Sequence, residues 1–280
     1  MTVIEARQRL TITDDDQVAL VAEALAAGAV VAHAFGNFYV ITTRAEPDTV
    51  RAVNLMKGRP PGQVGSITAP PAALSRAWDL RLLPDELPAR TALTIVDTLF
   101  AMGPFGFRAP AAASVPDHLS ELDGDIRTAQ VIAPGYRCPS NALLAAARRA
   151  TGDGLLYITS ANRSRHLTGA EDSPAHWRAD GLRAEFGDRP GFLIVEHPDE
   201  AAARLTYPRH LPMSTTILGL HRVVRLPGDP RPHLVLERHG SLPAELVRGV
   251  LTEFGYGLVL GPRATSRLLL RDYTERLSDR

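Results

Sequence analysis

Cys138 is the chain's single cysteine. A disulfide framework is therefore excluded, as is a metal site built from cysteine alone, and a reducing compartment is implied. Excess charge of one sign is also missing. Lys+Arg 31 balances Asp+Glu 31, so no global field draws the chain toward nucleic acid or an anionic membrane. No apolar run reaches the ~18 residues that span a bilayer. The start, Met1 to Arg7, has no apolar stretch behind a basic residue. A cytoplasmic protein with no signal peptide and no membrane partner is expected. Repeats and low-complexity tracts are missing. The sequence has no Walker loop, no Gly-x-Gly-x-x-Gly and no Gly-x-Ser-x-Gly, so any nucleotide must bind on another scaffold and the usual hydrolase elbow is excluded. The nine histidines include no His-Glu-x-x-His or similar close pair, so no metal site is expected.

What is present is ordinary globular material: 280 residues, 45% hydrophobic and 22% charged. That suffices for one large core, or one core and a small appendage. Asp14-Asp15-Asp16 precedes an amphipathic stretch at 17–27, predicting a helix stopped by Gly28. Short apolar runs at 29–34 and 38–42 flank Gly36-Asn37 and read as two strands around a turn. A helix is expected over 47–56, ended by Pro60-Pro61. Strands are expected at 64–68, 129–133, 155–159, 192–196, 215–218, 223–226 and 233–237. Further helices are expected at 71–78 and 139–149, and from an N-cap at Ser241 to about Phe254. Residues 80–128 are the least legible, with a strand or helix at 92–100. The mixture is α/β. One domain over residues 1–256 is expected, with 257–280 as an appendage containing a strand-like Leu258–Leu260 and a basic helix.

Several polar groups fall at the ends of these elements. Lys57-Gly58-Arg59 sits where a helix stops. A point charge and a planar fork two residues apart can face one polyphosphate, although a basic helix C-terminus reads the same way. Thr159-Ser160-Ala161-Asn162 follows an apolar strand, a usual ligand position in open α/β sheets, and equally a plain turn. Arg137-Cys138-Pro139 follows another strand, and Ser214-Thr215-Thr216 begins one. Arg238-His239-Gly240-Ser241 ends one. Cys138 has no base beside it in sequence and reads as buried and inert.

The order of these groups resembles the YrdC/YwlC/YciO family. Its members show Lys-x-Arg-Pro, Arg-x-Pro, Ser-Ala-Asn-x-Ser-Gly, Ser-Thr and a final Arg-Pro-Gly in that order. Here Lys57-Gly58-Arg59-Pro60, Arg137-Cys138-Pro139, Ser160-Ala161-Asn162-Arg163-Ser164, Ser214-Thr215 and Arg238-His239-Gly240 follow suit, and Met102-Gly103-Pro104 resembles the family's Pro-Gly-Pro. The resemblance covers about residues 16–256. It implies an α/β fold whose twisted mixed sheet curls around a large, positively charged cleft and is flanked by helices. It also implies adenylate formation from ATP with Mg²⁺ and release of pyrophosphate. Lys57 and Arg59 would carry the catalysis at the phosphates, Ser160, Asn162 and Arg238 would hold the nucleotide, and Arg137, Ser214 and Asn37 would face the second substrate.

Threonine-using members carry Pro-Thr-Asp/Glu-Thr where this chain has Ala34-Phe35-Gly36-Asn37. The stretch is more similar to the Gly-x-Gly-Gly-Phe-His-Leu of carbamoyltransferase YrdC-like domains, which make carbamoyl-AMP. The expected small substrate is therefore carbamate or bicarbonate, with threonine as the lesser candidate, and the carbamoyl-transferring partner would be a separate protein. Arg165 replaces the family's glycine. Two other readings follow from the same resemblance: a non-catalytic nucleotide or double-stranded RNA binder, and a scaffold for a partner protein. Zero net charge argues against strong RNA affinity.

Overall fold

The structure is a computed structural model that describes residues 9–152, 154–164 and 173–273. Arg165 lies outside the described residues. The elements run β1 (Leu10–Thr11), α1 (Asp15–Ala26), β2 (Val30–Phe35), β3 (Phe38–Arg44), α2 (Pro47–Lys57) and β4 (Ser66–Thr68). They continue with α3 (Ala89–Met102), β5 (Phe105–Pro110), β6 (Glu121–Asp123), β7 (Ile126–Ala133), α4 (Ser140–Ala150) and β8 (Leu156–Ser160). The last are α5 (Ala179–Phe186), β9 (Phe192–Glu196), α6 (Glu200–Thr206), β10 (Ile217–Arg225), β11 (Pro232–Arg238), α7 (Ala244–Glu253) and β12 (Gly257–Leu260).

All strands join one mixed sheet of order β1-β9-β2-β3-β8-β4-β7-β5-β10-β11-β12, with β6 paired to β7. Antiparallel hairpins, such as β2–β3 with Val31 opposite Thr42, alternate with parallel pairs such as β2–β9. Such a mixture cannot come from regular βαβ winding. The two central strands β4 and β8 carry the segments after α2 and before the Ser160 turn, so the sheet sets those segments side by side.

Local chemistry explains the boundaries. Asp14 caps α1 by accepting from the Gln17 backbone N–H at 3.0 Å. Gly58, with φ 77°, ends α2 in the left-handed region. The stretch at 92–100 is the helix α3, not a strand: Ala92, Ile95, Val96, Leu99 and Phe100 are buried at helical spacing. Residues 215–218 and 223–226 are not two strands. They belong to one strand, β10, whose pairing with β11 breaks register between Gly219 and Val224. Ser241 does not cap α7. The helix starts at Ala244 behind Pro243, and Ser241 is buried. No basic helix follows β12 among the described residues. One 3₁₀ turn at Pro262–Ala264 gives way to irregular chain through Tyr273. No described helix is long and apolar enough to cross a membrane.

Candidate functional site

Lys57 is the last residue of α2 and is 1% exposed. An ammonium buried that deeply needs partners for its three N–H bonds. Nζ donates to Thr159 Oγ1 at 3.1 Å, to Asn162 Oδ1 at 3.2 Å and to the Ser160 carbonyl. The Lys57 carbonyl accepts from Ser164 N–H at 2.7 Å. Arg59, just past the Gly58 bend, donates from Nη1 to the same Thr159 hydroxyl at 2.8 Å. Asn54 steadies the bend. Its carbonyl accepts from Arg59 N–H at 2.8 Å, its Nδ2 donates to Gln63 O at 2.8 Å, and its Oδ1 accepts from Tyr157 OH at 3.3 Å. Lys57, Arg59, Ser160 and Asn162 thus form one connected group, pinned from within by the buried lysine.

Arg238 ends β11. It donates from Nε to Thr215 O at 2.7 Å and from Nη2 to Thr215 Oγ1 at 2.9 Å. Among the described residues it pairs with no carboxylate. Burial pulls its guanidinium down to about 10, and the positive charge of Arg59 adds to the effect. The two arginines are therefore electrostatic neighbours. They belong to opposite halves of the chain.

Ser214 and Asn37 lie deeper. The Ser214 carbonyl accepts from Ser241 N–H at 2.9 Å, and Asn37 Nδ2 donates to the His210 carbonyl at 2.8 Å. Asn37 is 2% exposed, and its Oδ1 is buried without a hydrogen-bond partner. The turn that carries it is tight: Gly36 has φ +64°, and a Cβ there would overlap the Pro104 ring. Gly36 N–H donates to Cys138 Sγ at 3.1 Å, so the cysteine is buried against this turn. Arg137 is exposed beside it and faces the Tyr207 phenol electrostatically. The structure gives Arg137 no hydrogen bond to the Lys57 group.

Burial holds His33, His197 and His210 neutral, lowering each to about 4. A histidine depressed in the fold contributes stability that is present above its unfolded value, about 6.5, and is lost as pH falls toward the folded value. Thermal unfolding is expected to shift to lower temperature between about pH 6.5 and 5, above the carboxylate range. Calorimetry across that interval checks it, and a flat Tm contradicts it.

The described residues after β12 run from one side of this region to the other. Arg267 donates to Gly240 O at 2.9 Å and Ser241 O at 2.6 Å, and Leu268 N–H donates to His239 O at 2.9 Å. Farther on, Tyr273 OH meets His176 Nδ1 at 2.8 Å, and Arg271 pairs with Glu185 at 3.1 Å. His176 N–H in turn donates to Ala161 O at 2.8 Å, inside the Ser160–Asn162 turn.

No family model matches the sequence, and no curated protein does. The architecture, however, superposes on solved structures. Sua5 of P. abyssi in complex with L-threonine matches with a TM-score of 0.61 at 19% identity, over 89% of this chain and 60% of that one. A second P. abyssi Sua5 structure gives 0.63 at 18%, over 94% and 62%. E. coli YciO gives 0.53 at 14% identity, over 80% and 90%. The fold is YrdC-like. This chain spans only about three fifths of the Sua5 chains it matches, while it covers nearly the whole of YciO.

Within the YrdC-like fold, two hydroxyls matter that the sequence reading left out as site residues. Thr159 accepts from both Lys57 and Arg59, and Thr215 holds Arg238. Each lies next to a motif serine, and the alternation of strand faces is the signal that could have singled them out. A third group, Asp123, His221 and Glu237, is brought together solely by strand pairing.

Proposed function

We propose that this chain binds ATP across Arg59, Arg238 and the Ser160–Asn162 turn, and forms a carbamoyl-type adenylate with release of pyrophosphate. The observation that carries the reading is the connected group in which buried Lys57 pins the Ser160–Asn162 turn beside Arg59; Arg238 adds a second guanidinium, disfavoured by burial and by the charge of Arg59. An anion between them relieves both costs. The Ser160–Asn162 turn beside Arg59 offers hydroxyl and backbone groups suited to phosphate oxygens. Lys57 holds that turn in place, and its charge acts on the phosphates at short range. Mg²⁺ would arrive on the nucleotide phosphates.

In the reaction, a carbamate oxygen forms a bond to the α-phosphorus, the bond from that phosphorus to the bridging oxygen breaks, and pyrophosphate leaves with the electron pair. The protein supplies positioning and charge stabilisation. Carbamate suits the acceptor side better than threonine. The Asn37 Nδ2 is committed to the His210 carbonyl, Phe35 and Phe38 pack edge to face at 5.8 Å around the turn, and no hydroxyl stands in it. The carbamoyl adenylate would pass to a separate carbamoyl-transferring protein.

The test is pyrophosphate release from ATP, with bicarbonate, carbamoyl phosphate and threonine supplied in turn. Release without threonine is expected with carbamoyl phosphate, which water splits to carbamate and inorganic phosphate, or with bicarbonate plus ammonia. Release that requires threonine would replace carbamate as the substrate. RNA binding without turnover would overturn the enzymatic reading.

A further inference from the structure

We propose that Asp123, His221 and Glu237 form a binding site for one divalent transition-metal ion of the zinc type. One ligand atom from each residue lies within 4.8 Å of the others. His221 Nε2 is 2.6 Å from Asp123 Oδ2 and 3.7 Å from Glu237 Oε1. One imidazole nitrogen and two carboxylate oxygens, with water completing a tetrahedron, is a donor set that suits zinc and not magnesium.

The strands build this site deliberately. His221 comes from β10, Glu237 from β11 and Asp123 from β6. β11 has one residue more than β10 here: Ile217 lies opposite Arg238 and Leu218 opposite Leu236, so Glu237 is the bulged residue. Its carboxylate swings over Gly219, where a Cβ would come within 2.9 Å of Glu237 Oε1 and 3.3 Å of His221 Cε1. A side chain there would push the Glu237 carboxylate aside. Arg108 lies opposite Gly219 and Arg238 opposite Ile217, so both look out from the same face of the sheet. The site is thus separate from the Lys57 group but on the sheet face that carries Arg238.

The surroundings favour an ion. His221 Nδ1 faces the Arg108 carbonyl at 3.4 Å; donation there leaves the Nε2 lone pair aimed at the two carboxylates. Arg108 holds Glu237 by Oε2 at 2.8 Å, while the 40% exposed Arg222 lies 3.0 Å from Asp123 Oδ2 and 3.7 Å from Glu237 Oε1 and must swing toward solvent when an ion enters. Counting Glu121 on Arg108, three carboxylates meet two guanidiniums, leaving one negative charge for a cation to cancel. The Asp123 side chain is 34% exposed and provides the entrance. Zinc bonds of ~2.0–2.1 Å set tetrahedral ligand atoms about 3.4 Å apart, so the 2.6 Å contact must open by less than about 1 Å. Asp123 sits at a hairpin end next to Gly124 and can move that far. The ion would pin the β6–β7 hairpin to β10 and β11.

The test uses the full chain, stripped with a chelator and dialysed against zinc chloride, with bound metal counted by mass spectrometry. One zinc per chain is expected, with none displaced by equimolar magnesium. Asp123→Asn and His221→Asn are expected to weaken zinc binding by about tenfold or more. Zinc is expected to raise the Tm of the unaltered protein and not that of Asp123→Asn. X-ray absorption should show nitrogen and oxygen ligands at ~2.0–2.2 Å. Should His221→Asn fail to fold, Asp123→Asn still decides, because its side chain is partly exposed. Failure to retain zinc, or tight zinc binding that survives in Asp123→Asn, overturns the proposal and leaves an ion-pair network only.

Discussion

Lys57→Ala is expected to destabilise the protein by about 3–5 kcal/mol and to lower pyrophosphate release by about a hundredfold or more. The lysine is buried, and its ammonium serves Thr159, Ser160 and Asn162 at once. Alanine leaves those acceptors unsatisfied, at ~1–3 kcal/mol each where water cannot reach them. It also leaves a cavity beneath the turn that the proposed phosphates would touch. Lys57→Met separates the two effects. It restores most of the volume without the charge, so it should recover part of the stability and none of the turnover. Urea unfolding and the pyrophosphate assay, run on both variants, check this. A Lys57→Ala protein as stable as the unaltered chain would show that the connected group does not exist.

Gly240→Ala carries the second large effect. A Cβ at this position would overlap the Ser214 carbonyl oxygen and lie 2.5 Å from that of Thr215. Both are backbone atoms and cannot rotate away. The start of β10 must move from the end of β11, where Arg238 grips Thr215 and Gly240 N–H donates to Thr216 Oγ1 at 3.1 Å. A loss of about 3 kcal/mol is expected, together with weaker nucleotide binding, because Arg238 is displaced. Gly249→Ala is the control. It lies in α7 with nothing within 4 Å of its would-be Cβ, and it should stabilise the protein by up to ~1 kcal/mol. Equal Tm values for the two variants would contradict the steric account.

The legible parts of the sequence were those whose signal is local. α2 could be placed because Pro47 opens it and Gly58 with Pro60-Pro61 closes it. The β2–β3 hairpin could be placed because Gly36-Asn37 interrupts two apolar runs. The stretch at 92–100 resisted because its Thr, Ile and Val content suits a strand, while only packing of its buried stripe makes it α3. Ser241 carried a capping signal that tertiary contact overrode: its hydroxyl meets His210 Nδ1 at 3.2 Å instead. The linkage of Lys57 to Thr159 spans 102 residues, and that of His221 to Asp123 spans 98. Such contacts are set by strand order in the sheet, which no local pattern encodes. The ordered motifs made the first linkage foreseeable; nothing comparable announced the second.

The central claim is that Arg59, Arg238 and the Ser160–Asn162 turn share one triphosphate. Crystals soaked with magnesium and a non-hydrolysable ATP analogue test it most directly. The account predicts density for the phosphate chain between the two guanidiniums, with an oxygen at the turn. A nucleotide seated elsewhere on the sheet, or none bound at millimolar concentration, would contradict it.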